Sequence, residues 1–277
     1  MTLYFLLHSF TDIKYLMING NSDYDENVIK MEAFDESRNI TSVCASSSHQ
    51  YPLDILYATG ALVDQKVVIC GGSENKVPYP KTSSCYEFSH DHQWKFLGNM
   101  STPRYVSSAI PIPNGLWVTG GYDDGDNDLK STEIILTNGT ILDGQAPLPE
   151  PRAGHCLLQY KNTSFLIGGR EGNRGDQSTV WIFKDMKYIG DGPSMNFVRS
   201  FFGCGMYHSA SHNGNPIIVV AGNFGDDGDT SEFWDFTVPG SKWTRTSKQF
   251  TFLHFFKLFQ WEINFEIGMV ISIRDHS

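Results

Sequence analysis

Short apolar segments recur along the chain, separated by polar segments that contain glycine and proline. Four of them end at a glycine pair or near-pair: Gly71-Gly72, Gly120-Gly121, Gly168-Gly169 and Ala221-Gly222. The starts of these pairs are separated by 49, 48 and 53 residues. A second series, Arg104, Arg152 and Arg199, repeats at intervals of 48 and 47 residues. A period of this length predicts one supersecondary unit, repeated so that each copy buries a face against the next.

The pattern within one period predicts four short strands. In the best-formed copy the predicted strands cover residues 105–112, 115–119, 132–136 and 140–142. Turn residues at Pro113-Asn114 and Asn138-Gly139 separate the first pair and the last pair, and a long polar loop separates the second strand from the third. The same order recurs in the other copies. Because the strands are short and helical periodicity is nearly absent, the chain is predicted to be all-β.

The repeated unit resembles the kelch repeat. An apolar strand, Gly71-Gly72, Tyr86 on the third strand and Trp94 on the fourth match the kelch pattern. The resemblance implies an all-β, kelch-type β-propeller with one four-stranded blade per repeat. Four clear repeats are expected, at residues 56–100, 104–149, 152–195 and 199–245, and residues 1–55 are expected to form a weak or partial N-terminal blade.

Residues 246–277 do not continue the repeat. This segment is rich in phenylalanine and has neither a glycine pair nor a tryptophan in register. Two explanations remain open: the segment closes an incomplete ring as an improvised strand that covers an exposed edge, or it is the atypical end of a truncated gene product. The absence of a further repeat favours truncation.

Charge and hydrophobicity exclude some classes of partner. The chain has 277 residues and a formal net charge of −10, which argues against nucleic acid and anionic membrane surfaces as partners. No apolar run reaches the ~20 residues that a membrane helix needs, so no membrane insertion is expected. The sequence contains no motif typical of nucleophilic, zinc or nucleotide chemistry. We therefore expect a protein that is not an enzyme and uses no cofactor and no metal.

The long loops predict where a partner binds. The loops between the second and third strands (2–3 loops) and the connections between successive blades (4–1 connections) emerge at the same end of each blade, and long loops on a rigid scaffold concentrate binding residues. The resemblance to kelch adaptors implies that Arg170 and Arg199 contact the ligand, since guanidinium groups suit carboxylate recognition. The full set of expected partner-binding residues is Arg170, Arg199, Arg104, Arg152, Tyr122, Asp124, Asn173, Arg174, Asp226 and Asp227.

Alternatives to this interpretation stay open. Arg104, Arg152 and Arg199 could instead anchor one blade to the next, and Arg170 could be a solvated loop residue. The acidic loops favour solvated turns, or a patch for a cationic partner, over a calcium site, because they lack the glycine and distal glutamate of such a site.

The sequence predicts a non-catalytic scaffold that presents its 2–3 and 4–1 loops to a protein or peptide partner. The alternatives are a metal- or carbohydrate-dependent propeller enzyme and the substrate-recognition fragment of a ubiquitin ligase. By resemblance, the latter would also require BTB and BACK regions.

The cysteines and the N-glycosylation sequons indicate the cellular compartment of the protein. Cys70 ends a second strand and Cys85 begins the neighbouring third strand, as in secreted kelch-like proteins, so a disulfide is expected between them. Cys156 and Cys204 are expected to be buried thiols. Four glycosylation sequons begin at Asn39, Asn99, Asn138 and Asn162. These features favour an extracellular protein, with a cytosolic protein that has free cysteines as the alternative.

Overall fold

The computed structural model describes residues 2–5, 15–19, 30–34, 40–43, 55–64, 66–74, 76–88, 93–143, 146–208, 214–222, 231–246 and 256–257. The chain divides into two compact units, residues 1–151 and 152–277. Each unit is built from antiparallel sheets whose strands follow one another in sequence.

The first unit begins with four strands that pair in sequence order. These are β1 (Thr2–Phe5), β2 (Tyr15–Asn19), β3 (Lys30–Phe34) and β4 (Ile40–Val43). The pairing is antiparallel throughout. A short β5 (Ile55–Leu56) then precedes the first clear blade and pairs with β8 (Ser73–Glu74).

Two four-stranded blades complete the first unit. Blade 1 contains β6 (Thr59–Val63), β7 (Lys66–Cys70), β9 (Ser84–Phe88) and β10 (Trp94–Asn99). Blade 2 contains β11 (Ser108–Ile112), β12 (Gly115–Thr119), β13 (Thr132–Leu136) and β14 (Ile141–Asp143). In each blade the strands are neighbours in the order of the sequence.

The second unit contains two more blades. Blade 3 contains β15 (Cys156–Tyr160), β16 (Thr163–Ile167), β19 (Val180–Lys184) and β20 (Lys187–Asp191). Its 2–3 loop holds a two-stranded ribbon, β17 (Arg170–Glu171) and β18 (Gly175–Asp176), around a 3-10 helix at Gly172–Arg174. Blade 4 contains β21 (Gly203–His208), β22 (Pro216–Ala221), β23 (Ser231–Trp234) and β24 (Thr244–Thr246). A short β25 (Phe256–Lys257) lies in the tail, most of which is outside the described residues.

The predicted fold class is confirmed: the chain is all-β and consists of four-stranded blades of the kelch-type β-propeller. The second strands explain why the sequence shows apolar runs instead of alternation. Four of the five residues of β7 and β16 are buried, and all residues of β12 and β22 are buried. A strand that is buried on both faces has no polar face to alternate with.

The register of the strands corrects one detail of the sequence repeat. Ser108 pairs with Thr119, and Gly203 pairs with Ala221. Ala221 therefore occupies the position of Thr119, and Gly222 is equivalent to Gly120. The sequence pattern places Ala221 at the first glycine position, an error of one residue that only the strand pairing reveals.

The first glycine of each pair lies where the next blade begins. Gly168 has a φ of +56°, and a Cβ atom on it would lie 2.7 Å from the carbonyl oxygen of Arg199. The next residue, Gly169, donates its N–H to that same carbonyl at 2.7 Å. In the first unit Gly72 donates to the carbonyl of Arg104 at 2.8 Å. The glycine pair is thus needed both for its left-handed conformation and for the close approach of the following blade.

Three buried arginines make a common contact, which we call the arginine clamp. Arg104, Arg152 and Arg199 lie four residues before the first strands of their blades, and at most 1% of each is exposed. Each guanidinium donates to the carbonyl oxygen of the residue that follows the second strand: Gly120 at 2.9 Å, Gly168 at 3.1 Å and Gly222 at 2.6 Å. Each clamp therefore fastens the entry of a blade to the end of its own second strand.

In blades 2 and 4 a buried carboxylate completes the clamp. Arg104 donates to Glu133 at 2.6 Å, and Glu133 also accepts from the backbone N–H of Ser101 at 2.7 Å. Burial lowers the pKa of Arg104, and the charge of Glu133 partly offsets that shift. An arginine stays protonated in proteins even so, which makes this a buried ion pair.

Blade 4 repeats the arrangement with different sequence spacing. Arg199 donates to Glu232 at 3.0 Å, and Glu232 accepts from the backbone N–H of Asn196 at 2.8 Å. Neither charged side chain is exposed. In both blades the carboxylate thus bridges the arginine and the 4–1 connection.

In blades 1 and 3, other residues occupy the position of the clamp arginine, of its carboxylate partner, or of both. In blade 3 the guanidinium of Arg152 lies over the ring of Trp181, 4.2 Å from its centroid, and donates to Thr179 at 3.0 Å. In blade 1 the register places Ile55 at the arginine position and Tyr86 at the glutamate position. Among the described blades, blade 1 therefore has uncharged residues at both of these positions.

Two cysteine pairs are disulfide-bonded. Cys70 and Cys85 are register partners on β7 and β9, with Cα atoms 4.1 Å apart, which confirms the predicted bond. Cys156 and Cys204, with Cα atoms 6.3 Å apart, form a second disulfide between the first strands of blades 3 and 4. The expectation that these two are buried thiols is wrong: their strands bring the side chains together across neighbouring blades. Cys44 lies outside the described residues.

Removing one partner of a clamp should be more damaging than removing both. We expect Arg104→Met to lower the free energy of unfolding by about 3–5 kcal/mol, because Glu133 would be left buried without a counter-charge. The double variant Arg104→Met with Glu133→Leu should regain much of that loss, as the uncharged pair in blade 1 suggests. Urea unfolding followed by tryptophan fluorescence measures both. Equal losses in the single and double variants would contradict the ion-pair account.

Two glycines allow the cost of the close contact between blades to be measured separately from the cost of a left-handed backbone conformation. Gly214 has a φ of +75°, and a Cβ atom added to it would meet no atom of the described residues within 4 Å, so Gly214→Ala should cost only the left-handed penalty of about 1–2 kcal/mol. Gly168→Ala should cost an additional ~1–3 kcal/mol because the new methyl group meets the Arg199 carbonyl. Thermal and urea unfolding of the two variants provide the comparison. A loss for Gly168→Ala no larger than that of its control would show that the contact is dispensable.

Candidate functional site

In blades 1, 2 and 3, one end of the blade brings its 2–3 loop beside the 4–1 connection. Leu56 pairs with Ser73, Tyr105 bridges to Tyr122, and Ala153 bridges to Arg170. Each bridge joins the start of a first strand to the loop that follows the second strand. We call this end of the blades the loop rim, and describe it separately for the two units.

A backbone conformation that recurs from blade to blade shapes the rim. The residue that follows the bridge position has a positive φ in all four blades: Tyr57 (60°), Val106 (55°), Gly154 (58°) and Phe201 (52°). In the first unit the N–H of Val106 donates to the carbonyl of Tyr57 at 3.0 Å, and in the second Phe201 donates to Gly154 at 2.9 Å. The predicted first strand of blade 2 begins at residue 105, whereas β11 begins at residue 108, because residues 105–107 bond to other segments in this conformation.

Three tyrosines form a cluster on the rim of the first unit. The ring of Tyr105 lies between those of Tyr57 and Tyr122, at centroid distances of 6.3 Å and 5.3 Å. Tyr57 is exposed, and the other two are half-buried. Two backbone hydrogen bonds between Tyr105 and Tyr122, of 3.0 and 2.9 Å, hold their side chains next to each other.

A lysine from the neighbouring blade lies against this cluster. The Nζ atom of Lys81 is 4.6 Å from the centroid of the Tyr105 ring and 3.7 Å from Oδ1 of Asp126. The backbone N–H of Lys81 donates to Asp124 at 3.3 Å. The 2–3 loops of blades 1 and 2 therefore contact each other directly.

Tyr105 is held in its neutral form. Its hydroxyl donates to Asp126 at 2.8 Å. Burial raises the pKa of this phenol, and the hydrogen bond and the charge of Asp126 raise it further. The ring therefore carries an intact hydroxyl donor at every physiological pH.

The acidic loop of blade 2 folds around Asp123. Its carboxylate accepts from the backbone N–H groups of Gly125 at 2.8 Å and Asn127 at 2.9 Å. These bonds hold the pKa of Asp123 below its usual range, with the Asn127 backbone as the first cause. Asp124 and Asp126 are exposed on the same loop. Among the described residues, no group of three His, Cys, Asp or Glu side chains is arranged to hold a metal ion.

The rim of the second unit presents arginines. Arg170 lies 3.4 Å from Asp176, and Arg174 lies 3.1 Å from Glu171. Both guanidinium groups are largely solvent-accessible, with exposed side-chain fractions of 45% and 69%. Asp176 also accepts from the hydroxyl of Ser200 at 2.8 Å, which joins this loop to the start of blade 4.

The predicted partner-binding residues fall into three groups. Arg170, Arg174, Tyr122 and Asp124 lie on the rim with accessible side chains, and Asn173 lies in the 3-10 helix beside Arg174. Arg104, Arg152 and Arg199 are the buried clamp residues, so their contacts favour the alternative in which they anchor the blades. Asp226 and Asp227 lie outside the described residues.

Tyr57, Tyr105 and Lys81 are not among the partner-binding residues predicted from the sequence. Their signal was weak because none of the three repeats in the other blades. The arginine series could have found one of them, since Tyr105 directly follows Arg104. Of the sequon asparagines, Asn99, Asn138 and Asn162 are exposed, and Asn39 lies outside the described residues.

The described part of the chain includes no helix with the length and hydrophobicity needed to cross a bilayer. No family model matches the chain.

The chain resembles several curated proteins at modest identity. It is 26% identical to Kelch-like protein 40 from Mus musculus over 224 residues, which cover 76% of this chain and 34% of that protein. It is 30% identical to spermatocyte protein spe-26 from Caenorhabditis elegans over 92 residues, 33% of this chain and 16% of the relative. Alpha-scruin from Limulus polyphemus is 25% identical over 156 residues, 50% of this chain and 17% of the relative.

The chain thus spans about a third or less of the length of these relatives. The aligned proteins are kelch-repeat proteins, and the similarity to Kelch-like protein 40 covers 76% of this chain. The repeat register and these relatives together confirm the predicted resemblance: in sequence and in fold, the chain is similar to the kelch-repeat proteins.

Proposed function

We propose that this chain is a non-catalytic protein-interaction module that presents its loop rim to a protein or peptide partner. The observation that carries the proposal is the construction of the rim in the first unit. There the 2–3 loops of two blades contact each other and surround a cluster of accessible tyrosines.

The side chains on the rim are those that dominate protein interfaces. Tyrosine and arginine are enriched among the residues that contribute most to binding, because each combines a large contact area with directional hydrogen bonding. Tyr57 and Tyr122 supply the first kind of group, and Arg170 and Arg174 supply the second. The blades beneath are rigid, so that these groups are positioned before a partner arrives.

The arginines that the structure describes on the rim lie beside carboxylates, Arg170 beside Asp176 and Arg174 beside Glu171. Their guanidinium groups are suited to charge-assisted hydrogen bonds with a carboxylate of a partner. The similarity to kelch-repeat proteins supports the same role.

We also propose that the chain folds in an oxidising, extracellular or secretory environment. Two disulfides in one chain are typical of such compartments. The three described sequon asparagines are exposed, as attachment of a glycan requires.

The loop rim can be tested by placing a photo-crosslinking amino acid on it. We expect p-benzoylphenylalanine at position 124 or 174 to capture a partner from an extract of cells that express the chain. The same residue at Leu142 or Ile189, both exposed on outer strands, should capture none of it. Mass spectrometry of the adducts identifies the partner. Comparable yields at the outer strands would place the interface elsewhere and contradict the proposal.

The identified partner then allows the arginines to be tested. Arg170→Ala with Arg174→Ala should reduce its recovery about fivefold or more, because charge-assisted hydrogen bonds would be lost. The matched control is Lys184→Ala with Lys187→Ala, which removes the same charge from an exposed outer hairpin. Equal recovery with both double variants would exclude these two arginines from the interface.

The proposed extracellular or secretory environment can be tested by a separate measurement. Mass mapping of native protein without reduction should yield peptides linked through Cys70–Cys85 and Cys156–Cys204, and enzymatic removal of N-glycans should convert Asn99, Asn138 and Asn162 to aspartate. Alkylation of all four cysteines in protein that is unfolded without a reductant would instead indicate a cytosolic chain, since all four side chains are buried in the folded protein.

A further inference from the structure

We propose that the tyrosine cluster of the first unit, together with Asp124 and Asp126, is a recognition site for the lysine and arginine side chains of a basic protein segment. In the free protein Lys81 occupies part of this site. The inference rests on the proposed function and names the class of partner for that part of the loop rim.

The position of Lys81 shows what the site can hold. Its ammonium group lies over the face of the Tyr105 ring at 4.6 Å, within the distance of about 6 Å at which a cation is attracted by the ring. The same group lies 3.7 Å from the Asp126 carboxylate and donates to the carbonyl of Tyr79 at 3.2 Å. A ring face, a carboxylate and a carbonyl together provide the surroundings that an alkylammonium ion requires.

The site can bind a further cation in addition to Lys81. The side chain of Lys81 is only 13% exposed, whereas that of Asp126 is 67% exposed. Asp124 is also exposed, and Tyr57 is 37% exposed beside the Tyr105 ring. An incoming cation can therefore reach two carboxylates and an aromatic surface without any rearrangement of the blades.

Charge complementarity argues for a basic partner. The two loops that meet here, residues 73–83 and 122–130, contain five carboxylates, Glu74, Asp123, Asp124, Asp126 and Asp128, against three lysines, Lys76, Lys81 and Lys130. The whole chain carries a formal charge of −10. An acidic segment would be repelled by this surface, whereas a basic one would be attracted before contact and oriented on arrival.

The loop carboxylates are also held in fixed positions. Asp123 accepts four hydrogen bonds from its own loop through Gly125 and Asn127, and this fold leaves Asp124 and Asp126 exposed. Tyr105 orients the Asp126 carboxylate through its hydroxyl. A site organised in advance loses less conformational entropy when a partner binds.

A basic peptide provides a direct test with the intact chain. We expect fluorescein-labelled hexalysine to bind in anisotropy titrations at ~0.15 M salt, and labelled hexaglutamate not to bind. Asp124→Asn with Asp126→Asn should weaken hexalysine binding about tenfold, and Tyr57→Ala about threefold, since exposed cation–π contacts are individually weak. Lys81→Met keeps the aliphatic stem but removes the competing ammonium, and should tighten binding about threefold.

The matched control is Asp185→Asn with Asp191→Asn. It removes the same net charge from the outer hairpin of blade 3, where Tyr188 donates to Asp191 at 2.8 Å just as Tyr105 donates to Asp126. This control should leave hexalysine binding within about twofold of the unaltered chain, because it changes no residue of the proposed site.

Three results would overturn the inference. Equal weakening by the two double variants would show that hexalysine responds to overall charge, and unchanged or weaker binding by Lys81→Met would show that this lysine does not occupy the site. The gain expected for Lys81→Met also separates binding from folding, since a misfolded variant does not bind more tightly. Crosslinking of a partner at the rim together with a failure of hexalysine to bind would refute the basic-segment inference and leave the proposed function standing.

Discussion

The buried arginine that fastens the start of blades 2, 3 and 4 is the interaction on which the rest of the structure depends. A guanidinium has donors in a fixed planar fork, so a single side chain can satisfy a strand-end carbonyl and a carboxylate at once. Arg104 does so with Gly120 and Glu133, while its backbone carbonyl accepts from the glycine pair of the preceding blade. One residue therefore specifies where a blade starts, where its second strand ends and how close its neighbour lies. The variation among blades 1, 2 and 3 shows that the geometry is maintained even where the charges are not.

The loop rim is a consequence of the clamp. In blade 2 the clamp residue Arg104 is followed at once by Tyr105, whose backbone bonds to Tyr122 and whose ring joins the rim cluster. In blade 3 the carboxylate of Glu171 lies 3.9 Å from buried Arg152 and 3.1 Å from exposed Arg174, so that one side chain links the interior to the surface. The residues that anchor a blade thus lie directly beside the residues that are exposed on the loop rim. This explains why the three arginines at fixed intervals lie next to the loop rim although they are themselves inaccessible.

The sequence predicted well those structural features that recur from blade to blade, and it predicted poorly those that occur only once. The fold class, the second strands and the Cys70–Cys85 bond followed from features that recur or that lie on paired strands. The roles of Arg104, Arg152 and Arg199 stayed open because spacing does not report burial. Their carboxylates were not recognised, since Glu133 and Glu232 follow their arginines by 29 and 33 residues, and blade 3 has Trp181 instead. The tyrosine cluster was missed because it arises from contacts between loops of different length. Cys156 and Cys204 are separated by 48 residues, one repeat length, and that spacing was a usable signal for their bond.

The Cys156–Cys204 disulfide encloses almost the whole of blade 3 in a covalent loop. A protease that cuts the polypeptide anywhere between these cysteines, for instance in the ribbon around Gly172–Arg174, would leave both fragments attached to each other through sulfur. The clipped molecule would keep its blades side by side and migrate as one species until a reductant is added. A rim loop can thus be severed in a protease-rich environment without the scaffold falling apart.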